Sequence, residues 1–197
     1  MVSTSPRRAL IVVDVQNDFC PGGALEVANG DAVVPVLNEL IVQFLADGLP
    51  VFASRDWHPA QTRHFAAQGG TWPLHCVLNT PGAEFHPDLI RDPRIQIISK
   101  GTGDDNVYSA FDGTDLAQRM RALNVDEVWV GGLATDYCVK QTVLDALQEG
   151  FAVKALLDAM RPVELKPGDG ARALQEMGNA GAEIVESRVI IGSCENH

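Results

Sequence analysis

Apolar runs alternate with helix-like patterns along the whole chain. Residues 9–15, ALIVVDV, are short and β-branched, as a strand buried on both faces should be. Asp31 is placed to cap a helix through VVPVLNELIVQFLADG, which Gly48 ends. LPVFASRD (49–56), IQIISK (95–100), DEVWVGGL (126–133) and FAVKALLDA (151–159) predict four further strands. Thr114 is placed to cap TDLAQRMRALNV, and TDYCVKQTVLDALQEG predicts a helix ended by Gly150. After the turn at Pro167–Gly168, GARALQEMGNAG predicts the last full helix and AEIVESRVII a short final strand. One stretch breaks the rhythm: from Trp57 to about His86 the chain is rich in Gly, Pro, His and Trp and has little period. A loop that long inside a compact domain is usually functional.

Strands alternating with helices predict an α/β fold, a doubly wound and mainly parallel sheet with helices on both faces. Such sheets bind ligands beyond the carboxyl ends of their strands. Asp14 ends the first strand, Asp56 the second and Lys100 the third, and Cys138 follows just past the fourth. Charged residues often end apolar strands, so each is weak alone. Their convergence on one edge is the informative part.

Composition narrows the partners more than the fold. At 197 residues and 46% hydrophobic, the chain fits one domain, 1–197, with the loop region at about 56–86 elaborated upon it. A formal net charge of −11 argues against nucleic acid or an anionic membrane as a partner. No apolar run approaches the roughly 18 residues of a membrane-spanning helix. The opening MVSTSPRRALIVVDVQND has two arginines and a short apolar run, but that run ends at Asp14 with no small-residue cleavage site. It reads as a strand. Cys20, Cys76, Cys138 and Cys194 form no C-x-x-C pair, so reduced thiols and a cytoplasmic location are expected.

Cys138 has two readings by position: a small buried helix residue, or a nucleophile. In the first turn of a helix the macrodipole favours thiolate, and the Lys100 ammonium would add to that. Asp14 is placed to take the thiol proton and return it to a leaving amine. Backbone N–H groups of the strand-to-helix turn can receive an oxyanion. The second cluster is RDWHPAQTRHF followed by GTWPLHC. Alternation along D-W-H sets Asp56 and His58 on one side, His75 follows across a turn, and His64 lies between. Imidazoles with one carboxylate suit Zn, Fe or Mn, with positions left for water or substrate. His86 and His197 lack this context.

With both clusters in view, the sequence resembles the nicotinamidases of the isochorismatase-like cysteine hydrolase superfamily. The segments VDVQNDFCPGGAL, SRDWHP, GTWPLHCV, SKG, YSAF and GLATDYCV carry the resemblance across nearly the whole chain. DWHP together with GTWPxHC is its most specific part. The resemblance implies six strands and hydrolysis of nicotinamide, and also pyrazinamide, to the acid and ammonia through a thioester, within pyridine nucleotide salvage. It implies Asp14, Lys100 and Cys138 as catalytic residues, with an oxyanion hole from the N–H groups of Ala134 and Cys138 and a cis peptide at Leu133–Ala134. It places one divalent metal ion, zinc first, on Asp56, His58 and His75, with His64 in a fourth position that varies among relatives. Phe19, Trp72 and Tyr108 match the walls of the pyridine pocket. The alternatives are a superfamily amidohydrolase acting on another small amide, a metalloamidase using metal-bound water, or a metal-binding homologue without turnover. A homo-oligomer remains compatible with any of these.

Overall fold

The computed structural model of the chain describes residues 6–104 and 106–188. One six-stranded sheet runs in the order β3-β2-β1-β4-β5-β6. Its strands are β1 (Arg8–Val13), β2 (Val51–Asp56), β3 (Gln96–Lys100), β4 (Glu127–Leu133), β5 (Ala152–Arg161) and β6 (Glu183–Val185). Every pairing is parallel, so the expected mainly parallel sheet is wholly so. Cys194, His197 and the end of the expected last strand lie outside the described residues.

The alternation along β1 shows why the sheet needs cover on both sides. Leu10 and Val12 pack with Leu37, Leu40, Ile41 and Phe44 of α1 (Val33–Ala46). Ala9, Ile11 and Val13 face the other way, toward α2 (Leu116–Ala122), α3 (Lys140–Gln148) and α4 (Asp169–Asn179). The apolar residues of α1 recur three and four apart, and Pro35 is tolerated in its first turn, where no intrahelical acceptor awaits the missing N–H. Gly48 at φ 67° ends the helix, with the Leu49 N–H donating back to the Phe44 carbonyl at 2.8 Å.

Two capping expectations fail. Asp31 lies inside a 3-10 turn (Gly30–Ala32) that leads into α1, and its carboxylate caps nothing there. Thr114 stands one residue farther out than a cap, because α2 begins at Leu116; its hydroxyl still accepts from the Leu116 N–H at 3.3 Å. The chain from β2 to β3 has no α-helix, only 3-10 turns at Ala66–Gln68 and Pro81–Ala83. The aperiodic stretch is thus a helix-free crossover.

The Gly131–Gly132 pair of β4 is there for close approach. Gly132 has φ 129°, and a Cβ on it would sit 2.0 Å from the Val13 carbonyl oxygen. The β4–β5 register also shifts between Val130 and Gly132. Gly132→Ala is expected to destabilise the protein by about 3 kcal/mol or more, because rigid backbone is what the methyl meets. Urea unfolding measures this; a wild-type midpoint would mean that β1 and β4 can part to admit a methyl.

Candidate active site and metal pocket

The strand order reverses between β1 and β4, and the polar residues gather at the carboxyl ends around that point. β1 stops at Asp14, which takes a left-handed φ of 49°, a conformation Asp tolerates better than most residues. β2 ends in Asp56 and β3 in Lys100, paired in register. The Lys100 ammonium lies 2.5 Å from Asp56 Oδ1, 2.9 Å from Asp14 Oδ2 and 3.6 Å from Cys138 Sγ. Asp14, Asp56 and Cys138 each bring one atom within 4.8 Å of the others. Lys100 fills the space among them. All four side chains are buried.

Burial is the dominant force on each of these groups, and their neighbours decide the outcome. It pushes the Asp14 carboxyl up, against the pull of Lys100. Desolvation would also raise Asp56, but the charge of Lys100, with the His58 ring beside it, holds it below the usual carboxylate range. Burial would discharge Lys100, yet Asp14 and Asp56 outweigh it and keep the ammonium charged. Cys138 is pushed well above an ordinary thiol by burial, with Lys100 opposing and the two carboxylates adding.

This differs from the sequence expectation of a dipole-stabilised thiolate, because burial outweighs the pull of Lys100 on the thiol. Cys138 lies in a π-helical turn, Thr135–Val139, before α3 begins at Lys140. Burial thus favours the protonated form of both Cys138 and Asp14, with the Lys100 ammonium opposing it at each. The Leu133–Ala134 peptide is cis, as the resemblance implied.

The three loop histidines meet beside this group. Ligating nitrogens of His58, His64 and His75 lie within 4.8 Å of one another, and all three rings are buried. Asp56 turns its second oxygen toward them, 3.6 Å from His58 Nε2. His58 Nδ1 donates to the Gly101 carbonyl at 3.0 Å and His75 Nδ1 to the Pro73 carbonyl at 2.8 Å. A carbonyl only accepts, so in each ring the proton sits on Nδ1 and Nε2 presents a lone pair. His58 Nε2 is fully buried without a hydrogen-bond partner. Burying a bare acceptor is costly, and a divalent cation is the partner this donor set fits. His86 stays apart from the cluster.

The cavity beside Cys138 is lined by Phe19, Trp72 and Tyr108 together with Asp56, His64 and His75. It also includes Leu25, Tyr137 and Val163, which the sequence reading did not single out. Tyr137 meets Trp72 edge-on at 4.8 Å and Tyr108 at 5.6 Å. Three supports went unread as well. Gln16 donates to the Asp56 carbonyl and accepts from the Asp56 N–H, each at 2.8 Å. Ser54 donates to Asp14 Oδ1 at 2.7 Å. Asp136 accepts from the N–H groups of Val163 and Glu164, at 2.8 and 3.0 Å, tying the nucleophile turn to a cavity wall. Gln16 stands in a segment that carries the resemblance, but nothing in its type announces the contact.

This fold, with a buried cysteine–carboxylate–lysine group at its switch point, defines the class of α/β cysteine hydrolases. Residues 8–188 match the isochorismatase domain, and the chain belongs to that family. It is 44% identical to the nicotinamidase of Escherichia coli (strain K12), across 91% of this chain and 94% of that one. The zinc complex of the Pyrococcus horikoshii pyrazinamidase superposes with a TM-score of 0.87 at 49% identity, covering 92% of this chain and 99% of that one. An L. infantum protein in complex with nicotinate gives a TM-score of 0.86 at 34% identity, covering 94% and 95%. Among the described residues, no helix is long and apolar enough to cross a membrane.

Proposed function

We propose that the chain hydrolyses nicotinamide, and with it pyrazinamide, to the carboxylic acid and ammonia through a thioester on Cys138. The observation that carries this reading is the shared cavity: Cys138 lines the same aromatic-walled space as Asp56, His64 and His75 of the metal pocket. The names of the similar proteins point the same way.

Asp56, His58, His64 and His75 would hold one divalent ion, zinc before iron or manganese. When bound, the ion supplies a Lewis-acid anchor for a ring nitrogen. Phe19, Trp72 and Tyr108 enclose the ring and exclude water. Asp14 takes the Cys138 proton as Sγ bonds to the amide carbon, and the N–H groups of Ala134 and Cys138 receive the oxyanion. Asp14 then protonates the departing ammonia. Water attacks the thioester, Asp14 accepting its proton and returning it to the thiol as the acid leaves. Lys100 offsets the charge of Asp14 and of the thiolate at each stage.

Ammonia release tests the reading with nicotinamide, pyrazinamide and benzamide. The two ring-nitrogen amides are expected to turn over, and benzamide at least about 100-fold more slowly, because a site built for a polar partner rejects the analogue lacking it. Equal rates on benzamide, or no ammonia from nicotinamide, would overturn it.

A further inference from the structure

The three histidines are not oriented alike. His58 and His75 give their Nδ1 protons to backbone carbonyls, which can only accept. His64 Nδ1 is held by Asn106 Oδ1, the oxygen of a side-chain amide that could present either end. The nitrogen of that amide has a partner on its other side. Asn106 Nδ2 donates to the Tyr108 hydroxyl at 3.3 Å, and the same hydroxyl accepts from Trp72 Nε1, a donor only, at 2.9 Å. With the amide nitrogen engaged by Tyr108, its oxygen faces His64. The loop holding Asn106 is pinned close by, since the Asp104 carboxylate accepts from the Arg63 N–H at 2.8 Å and from Arg63 Nε at 2.6 Å.

We propose that Asn106 is a positioning residue that fixes His64 in the Nδ1–H tautomer and so makes its Nε2 a metal donor. The inference rests on the metal pocket described above. It joins that pocket to the aromatic wall, because the chain of hydrogen bonds from Trp72 through Tyr108 and Asn106 ends on a ligand. It also singles out His64 as the ligand whose orientation depends on a replaceable side chain. Asn106 is itself exposed, so substituting it should leave the fold intact.

Zinc affinity of the metal-free protein, measured by competition with a chromogenic chelator, tests this on wild type, Asn106→Ala and Asn106→Asp. Loss of a group that orients a ligand typically weakens metal binding by about 10- to 100-fold, and that loss is expected for Asn106→Ala. Asn106→Asp keeps an acceptor for His64 Nδ1 and is expected to stay within about threefold of wild type or bind more tightly. Nitrogen-15 NMR of the metal-free protein supplies a readout that simple loosening of the loop would not move. His64 should show a protonated Nδ1 in wild type and in Asn106→Asp, and lose that preference in Asn106→Ala, while His58 and His75 stay unchanged. Unchanged affinity and tautomer in Asn106→Ala would overturn the proposal, as would equal weakening of both variants. If the wild type binds no zinc, the metal pocket itself fails, and that result is distinct from either.

Discussion

Cys138→Ala is expected to lower turnover of nicotinamide by about 10⁴-fold or more while leaving metal content at the wild-type level, as loss of a covalent nucleophile does. The two effects separate because different elements carry them. Sγ comes from the turn after β4, whereas the histidines come from the β2–β3 crossover and Asp56 from the end of β2. Removing one sulfur atom disturbs none of the Nδ1 contacts that orient the rings. His58→Ala is the contrast. It deletes the fully buried Nε2 at the centre of the pocket and should lose both metal and activity. Mass spectrometry of wild type quenched during turnover should find the acyl group on Cys138, and Cys138→Ala should carry none. Amidase activity that survives in Cys138→Ala would place the chemistry on metal-bound water instead.

Lys100→Met should be the most damaging substitution to stability. Lys100 is the cation between Asp14 and Asp56, and all three side chains are buried. Removing one partner of a buried ion group costs about 3–5 kcal/mol, because the charges left behind have no solvent. The loss should shrink at low pH. Asp14 already has a folded pKa raised above its ordinary value, and without Lys100 it rises further. A carboxyl with a raised folded pKa contributes stability below its unfolded pKa and loses it as pH rises through the folded value. Urea unfolding of Lys100→Met at acidic and at alkaline pH should therefore show the larger deficit at alkaline pH. Activity should vanish as well, since Asp14 would keep its proton. A variant as stable as wild type at every pH would mean that the two carboxylates do not rely on the ammonium.

The strands were legible because parallel strands buried on both faces have a local signature, the β-branched run of ALIVVDV or the strand ending in GGL. The candidate site was legible where its residues stand at strand ends, as Asp14, Asp56 and Lys100 do, because the fold class alone brings strand ends together. Asp31 misled because a favoured capping residue before an apolar run says nothing of a 3-10 turn intervening. Cys138 looked like a first-turn helix residue because no residue type marks a π-helical turn. Tyr137, Val163 and Asn106 stayed hidden for another reason. Each acts through a contact between segments distant in sequence, and neither period nor spacing records which loop meets which.

The crossover from β2 to β3 carries His58, His64, Trp72 and His75 without one α-helix to hold them. An ion gripped by those rings would act as a cross-link, closing successive stretches of chain that no α-helix braces. Giving up the ion would then be a local unfolding event at one rim of the sheet, with the aromatic wall loosened along with the anchor. Recovery would be paced by reassembly of the rim and not by diffusion of the ion. The durability of such an enzyme would be set at that rim, well before the sheet beneath it yields.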